Sequence, residues 1–102
     1  MKYFGCDGSG ELSASQSITT LPGFLTSLLV FTDGVNDGQV ILYDSKNGAT
    51  GKVLAKIPVP GELNYGGRNW AESAFRDYKD GIYAALSGSN ASYIVEHIKK
   101  AE

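Results

Sequence analysis

Apolar positions in this chain fall into short runs separated by glycine-containing turn pairs. Gly38-Gln-Val-Ile-Leu-Tyr-Asp44 is the clearest: Asp33-Gly34 and Asp37-Gly38 precede it, and Asn47-Gly48 follows. A run of this length between turn signals predicts a β-strand. Phe24–Phe31, Lys52–Ile57, Gly81–Leu86 and Ser92–Ile98 read the same way. Alternation places Val40 and Leu42 opposite Ile41 and Tyr43. It also sets Leu25, Ser27, Leu29 and Phe31 against Thr26, Leu28 and Val30. Both faces of that strand are substantially apolar, which predicts a central position or an interface. Val53, Ala55 and Ile57 are expected to face inward, with Lys52 and Lys56 in water. Pro58 and Pro60, unable to donate to a ladder, are expected to end that strand.

The remainder is less regular. Residues 1–10, with Gly5, Gly8 and Gly10, predict a flexible N-terminal arm. Glu11–Thr20 predicts a polar edge strand, and Pro22-Gly23 a turn. Pro60–Asn69 predicts the longest loop. Trp70–Tyr78 fits a strand, or a helix capped by Asn69 with Glu72 completing a capping-box-like pair. The C-terminal Tyr93–Ala101 is equally ambiguous. The hairpin-like connections Asp80-Gly81 and Gly88-Ser-Asn90 favour strands at both places. The expectation is an all-β chain folded as a single antiparallel β-sandwich of about seven or eight strands, with a jelly roll among the arrangements that fit. Residues 11–98 would form the sandwich and 99–102 a C-terminal tail.

Composition agrees with one domain. The 102 residues include thirteen glycines and six tyrosines, suited to a turn-rich β-protein. A chain of this length can bury a core without staples, and the lone Cys6 cannot form an internal disulfide. A net charge of −2 offers no basic field for nucleic acid. No apolar run approaches the roughly 18–20 residues that span a bilayer, and Asp7, Gly8, Gly10 and Glu11 interrupt any signal core. A cytoplasmic start to folded life follows as an expectation.

Candidate chemistry is sparse. Asp33, Asp37, Gly38 and Asp44 fall at positions of a calcium loop, but Val35 takes a ligand position and strands flank it, so a turn is the better reading. His97, the single histidine, has no nucleophile elbow near it and reads as a strand histidine at a sheet surface or interface. No cation or base neighbours Cys6. Gly5–Gly10 lacks the Walker spacing and lysine. Asn90-Ala-Ser92 matches a glycosylation sequon without a secretion signal. Glu62, Glu72, Asp77 and Asp80 read as loop and surface acids. Tyr65, Arg68 and Trp70 form a set common at interface hot spots and able to stack on sugars; Trp70 suits a core plug equally well. In the arm, Tyr3 and Phe4 are candidate partner contacts. No catalytic residue, cofactor or metal ligand is assigned.

From Phe24 to Ile98 the chain resembles small β-sandwich virion proteins of tailed bacteriophages. The likeness is carried by Leu28-Leu-Val-Phe31, Gly38–Asp44, Gly48-Ala-Thr-Gly51 with Lys52-Val-Leu54, Asp80-Gly-Ile-Tyr83 and Ser92-Tyr-Ile-Val95. The resemblance implies a structural virion component without catalytic residues, foremost a head decoration or cement protein. Such a protein would be made in the bacterial host cytoplasm. It would bind the major capsid protein or another virion structural protein, as a homo-oligomer or on a lattice. A tail or fibre appendage, or a carbohydrate-binding module for the host surface, is the alternative. An enzyme, a nucleic-acid partner and a membrane partner are not expected.

Overall fold

A computed structural model describes residues 7–70 and 76–99. Among the described residues there are nine strands: β1 (Asp7–Gly8), β2 (Gln16–Thr19), β3 (Gly23–Phe31), β4 (Gly38–Asp44), β5 (Lys52–Val59), β6 (Tyr65–Asn69), β7 (Arg76–Tyr78), β8 (Ile82–Ser87) and β9 (Ser92–Lys99). A 3-10 turn, Gly61–Leu63, precedes β6. One sheet runs β1-β9-β3-β6, with β7 beside β6 on the same side of β3; the other runs β2-β8-β4-β5. All pairings are antiparallel. This interleaving of early and late strands is jelly-roll connectivity, with β7 as an added short strand. The all-β sandwich expected from the sequence is therefore the fold.

The core lies between the sheets. Leu25, Leu28, Val30, Val40, Leu42, Ile82, Ala84, Tyr93 and Val95 are fully buried there. Two β-bulges decide which residues reach it. Leu25 pairs with His97 and Ser27 with Glu96, so Thr26 is an extra residue on β3. A bulge reverses the alternation beyond it. Leu25, Leu28 and Val30 therefore all point inward, and Leu29 and Phe31 point out, unlike the even alternation expected. The second bulge sets Leu42 against Ala55 but Tyr43 against Val53, making Leu54 the extra residue. Leu54 takes the inward place expected of Val53, which is half exposed. Ala55 and Ile57 do pack against the core. Pro58 lies inside β5, not at its end, because β5 is an edge strand and its outer side needs no ladder donor.

The last residues of the expected arm belong to the sheet. β1 pairs with β9, and the Ser9 amide donates to the Val95 carbonyl at 2.9 Å. Ser9 Oγ accepts from the Val95 amide at 2.9 Å. Leu12 and Tyr93 then exchange backbone hydrogen bonds, so the edge strand expected over Glu11–Thr20 is confined to Gln16–Thr19. Between them the chain crosses to the second sheet. There the Tyr93 hydroxyl donates to the Ala14 carbonyl at 2.8 Å and Ser15 Oγ accepts from the Leu86 amide at 2.8 Å. The strand reading holds at Arg76–Tyr78 and Ser92–Lys99, and Lys99, expected in the tail, closes β9. Residues 71–75, including Glu72, and 100–102 lie outside the described residues.

Candidate functional site

Strand β6 carries two of the three aromatic and cationic candidates, and strand alternation separates them. Tyr65, Gly67 and Asn69 pair with Phe31, Leu29 and Ser27, while Gly66 and Arg68 pair with the inward-facing Val30 and Leu28. Tyr65 thus stands on the outer face of the five-stranded sheet, and Arg68 turns toward the space between the sheets. Trp70, just past β6, lies in the core at 7% exposure. Its backbone amide donates to the Thr26 carbonyl at 2.9 Å. Of the two readings open for Trp70, the core one holds for most of the ring. The tryptophan is not available as a sugar-stacking platform.

On the outer face, register gathers an apolar patch. Tyr65, Phe31 and Ser92 form one cross-strand row, and Gly67, Leu29 and Ile94 the next. Tyr65 is 66% exposed and Leu29 38%; Phe31 and Ile94 are half-buried. Gly67 makes room for the patch, since a Cβ there would lie 2.5 Å from Leu29 Cδ2. Polar groups border it. Ser27 Oγ donates to Glu96 Oε1 at 2.9 Å at one end, and Ser92 Oγ to Glu11 Oε2 at 2.6 Å at the other.

A second feature lies on the side of the sandwich. A cavity of about 370 Å³ opens there, lined by Lys52, Val53, Leu54, Arg68, Trp70, Arg76 and Asp77. It sits where the β5 edge of one sheet meets the β6 and β7 edges of the other. The Arg68 guanidinium stands 5.6 Å from the centroid of the indole, within cation–π range. The Trp70 Nε1 hydrogen is buried without a hydrogen-bond partner.

The remaining candidates serve the fold. Asp33 accepts from the Val35 amide at 2.9 Å, from the Asn36 amide at 2.8 Å and from the side chains of Asn36 and Asn90. These hydrogen bonds, the Asn36 amide first, hold its carboxyl well below the usual carboxylate range. Asp37 accepts from the Gly61 amide at 2.8 Å. Asp44 accepts from the Lys79 and Asp80 amides at 3.0 and 2.8 Å. The three acids of the calcium-like spacing thus tie three different turns. Among the described residues no group of three or more His, Cys, Asp or Glu is placed to hold a metal ion. His97, expected on a strand at a sheet surface or an interface, lies on β9 and is buried on the inward face opposite Leu25. Its Nδ1 lies 3.4 Å from the Tyr78 hydroxyl. Tyr3, Phe4 and Cys6 lie outside the described residues.

Sequence reasoning missed Leu29, Phe31 and Ile94 as a shared outer surface, and Lys52 and Arg76 as neighbours of Arg68. The only sequence signal for the first group was an apolar residue on each face of β3. The second group is joined by no local pattern. Comparison with known proteins finds no matching family model, no matching curated protein and no matching solved structure.

Proposed function

We propose that this domain is a structural protein of a tailed-bacteriophage virion, a capsid decoration or cement protein that docks the outer face of its five-stranded sheet on the head lattice. The observation that carries this reading is the contiguous Tyr65, Phe31, Leu29 and Ile94 surface. An apolar patch with a polar rim on a small domain suits a protein interface. Jelly-roll connectivity supports the reading only as analogy, since capsid proteins, lectins and cupins share it. A sugar-binding role is less well supported because Trp70, the strongest stacking candidate, is buried. A protein that contacts subunits only in the assembled shell shifts the equilibrium toward that shell by mass action.

Co-sedimentation of the purified protein with phage heads lacking it tests the proposal. Binding should saturate, and Leu29→Lys should abolish it without lowering the melting temperature by more than a few degrees. Absence of the protein from purified particles by mass spectrometry, or undiminished binding of folded Leu29→Lys, would refute it. Recovery of the protein on tails and not heads would support the appendage alternative.

A further inference from the structure

We propose that the side cleft binds an extended acidic segment of a partner protein. The inference concerns a different surface from the outer sheet face and stands whether or not that face docks on a capsid.

Three cations converge on the cleft: Lys52 from β5, Arg68 from β6 and Arg76 from β7. All three are exposed. The chain as a whole is acidic, with a net charge of −2, so this cluster runs against the general charge of the protein. Arg76 pairs with the inward-facing Leu25 and Arg68 with the inward-facing Leu28, which brings both guanidinium groups to the inter-sheet side of one edge. Asp77 also lines the cleft, but by alternation along β7 its carboxylate belongs to the other face, and it already has an interaction partner. A pair of arginines presents planar donor forks that match carboxylates, and lysine adds a point charge.

The walls select the kind of acid. Among the described residues β5 pairs only with β4, and β6 and β7 only with β3. Among the described residues no backbone hydrogen bond joins β5 to β6 or β7. Among the described residues, the strand edges that border the cleft therefore carry no ladder partner on that side. An extended peptide can pair with such an edge and place alternate side chains toward the cleft. Half-exposed Val53 supplies an apolar contact beside the cations. A sugar would need an open aromatic face, which buried Trp70 does not give. The preferred occupant is thus a strand-like segment in which acidic residues alternate with apolar ones.

Trp70 is the only tryptophan of the chain, so its fluorescence reports on this cleft. The experiment titrates the whole protein with a short synthetic peptide of alternating Glu and Val and follows Trp70 emission. A saturable change is expected, weakening as salt is raised. A peptide of alternating Lys and Val should give none. Arg68→Gln combined with Arg76→Gln should weaken binding by about tenfold or more. Arg76→Gln alone, at an exposed position of β7, keeps the test valid if loss of Arg68 disturbs folding, and should also weaken binding. Equal response to the acidic and basic peptides, or full affinity in folded Arg76→Gln, would overturn the proposal. Displacement of the peptide by equimolar oligogalacturonate or inorganic phosphate would also overturn it, because it would mark a small-anion site and not a peptide groove.

Discussion

Leu42→Ala probes the packing of the sandwich most directly. Leu42 is fully buried in β4, a central strand. Its direct cross-strand neighbours are Ala55 on β5 and Ala84 on β8. Removing three carbons forfeits about 2.4 kcal/mol of transfer free energy at about 0.8 kcal/mol each. A cavity term adds to this according to how far the surroundings can close in. Two alanines have no side-chain length with which to fill the gap, so the cost belongs in the upper half of the ~2–5 kcal/mol range, near ~4 kcal/mol. Leu29→Ala is the control. That side chain is 38% exposed on the outer face, and its truncation should cost less than ~1.5 kcal/mol. Urea denaturation followed by Trp70 fluorescence measures both. The Leu42→Ala midpoint should fall by more than about 1 M at unchanged slope, and well beyond that of Leu29→Ala. Equal midpoint shifts for the two variants would refute the assignment of inward and outward faces.

Two further outcomes follow from the polar contacts. Asp44 is partly buried, which raises its pKa, but the amides of Lys79, Asp80 and Gly81 together with nearby Lys52 outweigh that and lower it overall. Its carboxylate ties the β7–β8 turn to the end of β4, so Asp44→Asn should destabilise the domain by about 1–2 kcal/mol at neutral pH. Wild type should lose the same advantage on acidification through the lowered pKa, and a variant–wild-type difference that does not shrink in acid would contradict this. Burial, with a smaller contribution from Tyr83, pushes the Tyr93 phenol up to about 12. The unfolded phenol titrates near 10, so its contribution is complete below about pH 10 and is lost as pH rises through about 12, a change of roughly 1–2 kcal/mol once solvent screening is allowed for. Urea midpoints at about pH 9 and about pH 12 should therefore fall more in wild type than in Tyr93→Phe; parallel falls would show that Tyr93 is not the cause.

The sequence alone determined the class of the fold and the core face of its clearest strand. Period-two alternation and the glycine turns around Gly38–Asp44 are local properties, and they made Val40 and Leu42 legible as core residues. Asp33, Asp37 and Asp44 were legible as turn residues because a short carboxylate bonds nearby amides wherever a turn forms. Tertiary structure decided what depends on pairing between distant segments. A bulge moves every side chain beyond it to the opposite face, and it arises from cross-strand register that no window of sequence contains. This is why Leu54 and not Val53 is buried, and why Leu29 is exposed although Leu28 is not. Plain alternation separates Tyr65 from Arg68, two candidates on one short strand, whereas only pairing between distant segments joins Arg68 to Lys52 and Arg76. Those residues meet only because jelly-roll connectivity lays the β5 edge of one sheet against the β6 and β7 edges of the other.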